Sequence, residues 1–257
     1  KFAFLGKTDM GGFSALGGGE DFVDIVRFFY RETVKKAKLK YGMKNRRMYP
    51  SDAYALCMVC SLLGKELTPK YAFVFVDEAQ DISKNEYDLL MRINCKASFD
   101  VFGDLEQNVT AWRGVGDWRA AFPDFEGFTL NQNYRNTNQI VDFVASALKV
   151  DMQSIGFDGP EVQHIAPRGI SAFFRDKKGL KAVICSEKDK EKYLRKAYSV
   201  VSEKGRVSRT RINLMSVYES KGLEFTSVAV VPAHMTPNEK YIAYTRALKE
   251  LAIVEEK

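Results

Sequence analysis

The feature that most constrains this chain is a near-continuous apolar run at residues 71–76 that ends on two acids, Asp77 and Glu78. The run reads Tyr-Ala-Phe-Val-Phe-Val, and such a run suits a strand that is buried on both faces of a parallel sheet. Parallel strands need crossover connections, which are usually helices. The run therefore predicts an α/β fold. It also places Asp77 and Glu78 at the carboxyl end of a strand, where open α/β sheets bind their ligands.

The rest of the chain alternates between helical and extended patterns, which favours an α/β fold with mostly parallel strands. Helices are predicted at residues 83–93, 137–148, 188–201 and 238–248. Strands are predicted at residues 99–102, 181–185, 213–217, 227–231 and 251–254. Residues 151–169 are predicted to form a long loop or small insertion, and a boundary between two α/β blocks is placed near residues 123–127.

Composition sets broad limits on the function. The chain has 257 residues, 46% of them hydrophobic, and a formal net charge of +6, which fits polyanion binding without proving it. Cys57 and Cys60 have metal or redox spacing, but no second pair follows, and we interpret them as part of a buried helix face. Free thiols indicate a reducing, cytoplasmic compartment. No apolar run approaches the ~20 residues that a membrane span needs.

The two acids after the first strand have a specific chemical use. Asp77 would hold Mg²⁺, through water because this ion gives up its water ligands reluctantly. Glu78 would orient or deprotonate an attacking water. After the next strand, Gln107 can sense a terminal phosphate, and Trp112 offers a face on which a base can stack, with the cation of Arg113 beside it.

Five ordered segments carry a family resemblance. Residues 76–81 (Val-Asp-Glu-Ala-Gln-Asp) and 102–114 resemble motifs II and III of the UvrD/Rep-like superfamily 1 helicases. Residues 130–137 (Leu-Asn-Gln-Asn-Tyr-Arg-Asn-Thr) resemble motif IV, residues 213–225 motif V, and residues 241–247 (Tyr-Ile-Ala-Tyr-Thr-Arg-Ala) motif VI.

The resemblance implies a P-loop NTPase fold with RecA-like parallel sheets flanked by helices, in two RecA-like units of which the first is incomplete. Residues 1–70 would be a linker and the remnant of a helical insertion. Residues 71–125 would be the carboxyl-terminal part of the first unit, and residues 126–257 the second unit.

The resemblance also implies the roles of single residues, with ATP and Mg²⁺ as cofactors and single-stranded DNA as partner. Catalysis would involve Asp77, Glu78, Gln107, Arg135 and Arg246, with both arginines reaching the γ-phosphate. Glu224 would contact the ribose, and Tyr134 would stack near the adenine. Gln107 would couple the state of the ATP phosphates to the binding of single-stranded DNA. The strand itself would be touched by Trp112, Arg113, Ser216, Tyr218 and Ser220.

The chain departs from the family pattern in three places. No Gly-x-x-x-x-Gly-Lys-Ser/Thr phosphate loop is present, and the one candidate, residues 1–8, has Lys1 in place of the first glycine and bulky residues in the loop. We therefore expect that the segment with the phosphate loop is missing, or that the natural protein has lost it. Tyr218 stands where many relatives have histidine. The short stretch between motifs IV and V resembles the HelD-type branch, which is associated with RNA polymerase.

Three hypotheses follow. The first is a motor that couples ATP hydrolysis to movement along single-stranded DNA. The second is a HelD-like ATPase that remodels RNA polymerase. The third, for the isolated chain, is a nucleic-acid-binding fragment without turnover, because the phosphate loop is missing.

Overall fold

A computed structural model describes residues 71–109, 114–201 and 206–255, with positions 54, 57, 58, 61 and 62. The phosphate-loop candidate at residues 1–8, most of the predicted insertion remnant, and Trp112 and Arg113 lie outside the described residues. The described residues form two compact units. The first contains residues 71–103 and 114–116, and the second contains residues 104–109, 117–201 and 206–255.

In the first unit, strand β1 (Phe73–Val76) pairs in parallel with strand β2 (Ser98–Val101), and helix α1 (Lys84–Ile93) connects them. The helix begins after Ser83, whose hydroxyl accepts a hydrogen bond from the Glu86 amide while the Glu86 carboxylate accepts one from the Ser83 amide. This reciprocal cap satisfies two amides that have no partner inside the helix. The predicted strand–helix–strand order is confirmed.

The prediction that β1 is buried on both faces is wrong. Successive side chains of a strand point to opposite faces, and Phe73 and Phe75 on one face are 66% and 68% exposed, whereas Val76 is buried. Among the described residues, β1 pairs with one strand, β2. That strand lies beside β1 in the sheet and does not cover the face that carries Phe73 and Phe75. An apolar sequence permits burial on two faces, but a covering layer has to supply it.

The second unit is built on a six-stranded sheet in the order β5-β10-β9-β6-β8-β7, in which every neighbouring pair is parallel. Its strands are β5 (Gln163–Ile165), β6 (Lys181–Cys185), β7 (Tyr198–Val200), β8 (Ile212–Ser216), β9 (Phe225–Val230) and β10 (Ala247–Val254). Two further strands, β3 (Gln132–Asn133) and β4 (Gln153–Ser154), form a separate parallel pair. The helices are α2 (Trp118–Ala121), α3 (Asn138–Leu148), α4 (Ile170–Phe173), α5 (Val217–Ser220) and α6 (Pro237–Thr245).

The six-stranded sheet is covered on both faces. On one face Ile184 and Met215 pack in a cluster with Ile140 of α3 and Ile242 of α6. On the other face Val183 and its neighbours pack in a second cluster with α4, Tyr193 and Tyr198. The central strands β6, β8 and β9 are therefore buried on both faces, as their continuous apolar sequences require. The predicted α/β fold with parallel strands is confirmed.

Several predicted elements differ from those in the structure. The helix predicted at residues 188–201 is absent; a 3₁₀ turn (Glu187–Asp189) and strand β7 stand there instead. The predicted loop at 151–169 contains β4 and β5, and β5 joins the main sheet beside β10. Strand β10 begins at Ala247, before the predicted residue 251. The missed strands are short and polar, so their sequences lack the apolar pattern of a central strand.

Residues 104–109 group with the second unit, as do the residues from 117 onward. The reason is visible in the hydrogen bonds of the first of these segments, since side chains of Asn238, Lys221 and Tyr218 all donate to its carbonyl groups. The predicted domain bounds at residues 70, 125 and 126 stay predictions.

No helix among the described residues is long and apolar enough to cross a bilayer.

Gly179 precedes β6 in a left-handed conformation (φ +87°), and a Cβ there would lie 2.2 Å from the Thr226 hydroxyl oxygen. We expect Gly179→Ala to lower the free energy of unfolding by more than about 1 kcal/mol, because both the backbone and the contact oppose a side chain. Chemical denaturation measures this. Gly127→Ala is the matched control, since nothing lies within 4 Å of a Cβ at that position; equal effects of the two variants would contradict the expectation.

Candidate functional site

The turn after β1 is held in an unusual backbone conformation. Glu78 adopts the left-handed region, with φ 51° and ψ 37°. This conformation costs a non-glycine residue roughly 1–2 kcal/mol. Hydrogen bonds on both sides maintain it, because the Ala79 amide donates to the Phe102 carbonyl at 3.0 Å and the Phe102 amide donates to the Val76 carbonyl at 2.8 Å. Such strain is typical of functional turns.

The carboxylate of Glu78 is fixed by a residue that the sequence did not single out. Gln80 is 1% exposed, and its side-chain amide donates to Glu78 Oε2 at 2.6 Å. The Gln80 carbonyl accepts from the Val115 amide at 3.1 Å, which anchors the backbone of the same residue. The Tyr87 hydroxyl donates to the intervening Ala79 carbonyl at 2.7 Å. Gln80 lies within the motif, and its spacing two residues after Glu78 was the available signal.

Asp77 is exposed at the carboxyl end of β1, and its Oδ1 accepts a hydrogen bond from the Glu78 amide at 2.8 Å. A carboxylate in this position fits Mg²⁺, which proteins commonly hold through one or two carboxylates together with water and phosphate oxygens. Among the described residues no group of three or more acidic, histidine or cysteine side chains could hold a metal by itself.

Gln107 lies in the second unit, in a turn formed by residues 104–108, which we call the 104–108 turn. The Gln107 side-chain amide donates to Asp104 Oδ2 at 2.9 Å. The other carboxylate oxygen of Asp104 accepts from the Glu106 amide at 3.0 Å and caps the 3₁₀ turn. The position of the predicted phosphate-sensing side chain is therefore set by Asp104.

The structure brings three of the predicted site residues together in the second unit. Arg135 forms an ion pair with Glu224 at 2.9 Å, and both side chains are partly exposed. Arg246 is 5% exposed, and its guanidinium donates to the carbonyls of Ile242 at 3.1 Å and Leu223 at 3.4 Å. Arg135 thus contacts the Glu224 carboxylate, and Arg246 contacts the backbone carbonyl of the residue before it. Their predicted contacts with phosphate stay a prediction.

Tyr134, predicted to stack near the adenine, is among the more exposed large side chains of the described residues. Tyr134 follows Asn133 in the chain. The side-chain oxygen of Asn133 accepts hydrogen bonds from the backbone amides of Arg135 and Asn136 at 2.9 and 3.0 Å. That local turn fixes the backbone of the segment while the Tyr134 ring stays accessible. A stacking role remains a prediction that its exposure permits.

The segment predicted to contact single-stranded DNA, residues 216–220 at the end of β8, has two buried hydroxyls and one exposed ring. Ser216 donates to Glu219 Oε2 at 3.1 Å, and Ser220 donates to the Val217 carbonyl at 2.7 Å; both serines are buried. Tyr218 is exposed, and its hydroxyl donates to the Val109 carbonyl at 3.0 Å. In this conformation the serine hydroxyls stabilise the turn, and Tyr218 offers the accessible surface. Their contacts with nucleic acid stay predictions.

A polar cluster that the sequence did not reveal lies at the carboxyl ends of β6 and β8. Lys190 forms an ion pair with Glu219 and donates to the Val201 carbonyl at 3.0 Å. Nearby, Asp189 accepts from the Ser186 hydroxyl at 2.7 Å and lies 2.9 Å from His234 Nδ1. Burial raises the pKa of Glu219, but the hydrogen bonds from Lys190 and Ser216 outweigh burial and lower it below its usual value.

The lowered pKa of Glu219 predicts an acid dependence of stability. A carboxyl with a depressed folded-state pKa stabilises the fold above its unfolded pKa of about 4.3, and this contribution is lost as the pH falls through the folded-state value. We expect Glu219→Gln to flatten the fall in thermal unfolding midpoint between about pH 6 and about pH 3. The exposed Glu187 supplies the control, and Glu187→Gln should keep the wild-type slope. Parallel curves for Glu219→Gln and wild type would refute the role of this ion pair.

Comparison with known proteins gives consistent results. The family model described as the UvrD/REP helicase N-terminal domain matches residues 30–116. A probable DNA helicase II homolog from Mycoplasma capricolum is 32% identical over 85 residues, which cover 31% of this chain and 12% of the relative. The ATP-dependent DNA helicase Rep of Escherichia coli is 32% identical over 78 residues, covering 28% of this chain and 12% of the relative.

Among solved structures, an arterivirus nonstructural protein 10 helicase in complex with DNA matches with a TM-score of 0.46 and 19% identity. That match covers 72% of this chain and 40% of the viral chain. The matches to the two curated relatives each span about an eighth of the relative's length.

Proposed function

We propose that the chain forms part of a motor that couples ATP hydrolysis to movement on single-stranded DNA, because its residues 30–116 match the UvrD/REP helicase N-terminal domain and part of it is similar to the ATP-dependent DNA helicase Rep of Escherichia coli. The observation that carries the proposal is the strained turn at Glu78. A costly left-handed residue is maintained by backbone bonds to Phe102, the residue after β2, and its carboxylate is held by a buried glutamine directly beside the exposed Asp77. This arrangement suits a base that must be aimed rather than a surface acid.

In the proposed reaction Glu78 accepts a proton from the attacking water. Its carboxylate is oriented by Gln80, so the direction from which it approaches the water is set before the substrate binds. Asp77 would hold Mg²⁺, which when bound with ATP neutralises charge on the phosphate oxygens. The hydrogen bond from the Glu78 amide fixes the Asp77 carboxylate next to the base.

Residues of the second unit would bind the nucleotide. Arg135 and Arg246 are proposed to stabilise charge on the terminal phosphate, since the planar guanidinium fork matches phosphate geometry and stays protonated. Glu224 would accept from the ribose hydroxyls. Arg246 now donates to carbonyl oxygens, so it would have to exchange the Leu223 contact for the phosphate. Tyr134 would supply an apolar face for the adenine.

The proposed strand contacts combine charge and stacking. The net charge of +6 favours a polyanion. Tyr218 provides an exposed ring in the segment after β8, and Trp112 and Arg113 are assigned by sequence. We propose that the phosphate loop belongs to another segment of the same protein. The sequence supports this, because the candidate at residues 1–8 has Lys1 in place of the first glycine of a phosphate loop. No observation favours the HelD-like branch or RNA polymerase, which stay predictions.

Substitution of the proposed base tests the function. In the complete protein that contains this chain, we expect Glu78→Gln to lower strand-stimulated ATP turnover by about 10²–10⁴-fold, the usual contribution of a positioned base. ATP binding should persist, because the amide keeps the shape and the contact with Gln80. Steady-state hydrolysis with an oligonucleotide is the measurement.

The matched control for this experiment is Glu126→Gln, which changes an exposed acid in a different segment and should leave turnover unchanged. Wild-type turnover in Glu78→Gln would remove Glu78 from the mechanism. No hydrolysis in the wild-type complete protein would remove the proposed function itself.

A further inference from the structure

We infer that Asn238 is the positioning residue that docks the 104–108 turn onto helix α6 and so fixes Gln107. The inference rests on the proposed function only for the use made of Gln107. The docking itself stands on the hydrogen bonds within the second unit.

The amide of Asn238 spans the turn. Its Nδ2 donates to the Leu105 carbonyl at 3.1 Å and to the Asn108 carbonyl at 2.8 Å. A side-chain amide has two N–H donors, and both are used on carbonyls at the two ends of the same 3₁₀ segment. One side chain therefore holds the beginning and the end of the turn that carries Gln107.

The position of Asn238 is itself fixed. Helix α6 begins with Pro237, and the Thr236 hydroxyl accepts from the Glu239 amide at 3.3 Å while the Glu239 carboxylate accepts from the Thr236 amide at 2.8 Å. This reciprocal cap orders the first turn of the helix, in which Asn238 is the second residue. The docking amide thus projects from a rigid base.

Helix α6 makes a second connection one turn later. Tyr241 lies three residues after Asn238, on the same face of the helix. It is hydrogen bonded to Asp104, and burial, followed by the nearby Asp104 carboxylate, raises its pKa. The phenol stays protonated and donates. Because Asp104 also accepts from Gln107 Nε2 at 2.9 Å, Tyr241, Asp104 and Gln107 form one chain of hydrogen bonds from the helix to the predicted phosphate sensor.

The segment after β8 holds the other side of the turn. Lys221 Nζ donates to the Gln107 carbonyl at 3.3 Å, and the Tyr218 hydroxyl donates to the Val109 carbonyl at 3.0 Å. The turn is therefore fastened both to the helix that ends next to Arg246 and to the segment predicted to touch the strand. Asn238 is the member of this set whose bonds go to backbone only, at two points, so its loss should free the turn without removing a proposed reacting group.

The decisive variant is Asn238→Asp in the complete protein. It keeps the shape of the side chain and puts an acid in the first turn of α6, which favours the helix, but it turns two donors into acceptors that face carbonyl oxygens. We expect the kcat for ATP with a single-stranded oligonucleotide to fall about tenfold or more, with the KM for ATP and the thermal midpoint little changed.

Hydrogen–deuterium exchange gives a readout that does not depend on activity. Amides of residues 104–109 should exchange faster in Asn238→Asp and Asn238→Ala, while those of α6 stay protected. The matched control is Asn138→Ala, which removes an amide from the first turn of α3, where it donates to Asp158 at 2.9 Å. Exchange in residues 104–109 should not respond to it.

The outcomes separate the two claims. Unchanged exchange of residues 104–109 in Asn238→Asp would overturn the docking. Faster amide exchange of residues 104–109, combined with wild-type stimulation of ATP hydrolysis by single-stranded DNA, would overturn the positioning of Gln107. A wild-type protein without strand-stimulated hydrolysis would overturn the proposed function, while the exchange experiment would still decide whether Asn238 docks the turn.

Discussion

Parallel pairing of strands is the constraint on which the described structure depends. Every paired strand in residues 71–109, 114–201 and 206–255 is parallel to its neighbour. Parallel strands return through crossovers, so all carboxyl ends in a sheet meet at one edge. Asp77 and Glu78 follow β1 at such an edge, and Ser216 ends β8 at another, with Tyr218 just beyond it. Side chains shape the turns of the structure: Glu219 and Asn238 bond to backbone groups of Ser216 and Leu105, and Gln80 bonds to the Glu78 carboxylate.

The second unit separates its two proposed tasks along the strands. Glu224 and Arg246 precede β9 and β10, so they lie at the amino ends, where the Phe225 amide also bonds to the Arg246 carbonyl. Tyr218 follows β8, at the carboxyl end. Only residues 219–223 separate Tyr218, the proposed contact with single-stranded DNA, from Glu224, the proposed contact with the nucleotide.

The sequence predicted what depends on local pattern and missed what depends on distant partners. Strand β6 was predicted at its observed bounds because Ala-Val-Ile-Cys is apolar throughout, and the start of α1 was predicted to within one residue. Strand β7 was predicted as helix, since Tyr-Ser-Val gains its state only by pairing with β8. The exposure of Phe73 depends on whether another layer of the protein packs on that face of β1, and the sequence of the strand does not specify such a layer. Among site residues, Glu78 and Glu224 carry motif signals, whereas the pairing of Lys190 with Glu219 joins residues far apart in the chain and has none.

The proposed role of Asp77, after β1, is to hold the metal of an ATP-hydrolysing site. Electron paramagnetic resonance of Mn²⁺ supplied with a non-hydrolysable ATP analogue tests this role directly, since Mn²⁺ accepts the same oxygen ligands as Mg²⁺. With the complete protein, we expect a protein-bound Mn²⁺ spectrum that depends on the nucleotide and that is lost or strongly weakened in Asp77→Asn. An unchanged spectrum and affinity in Asp77→Asn would show that the metal is held without Asp77 and would remove that residue from the proposed site.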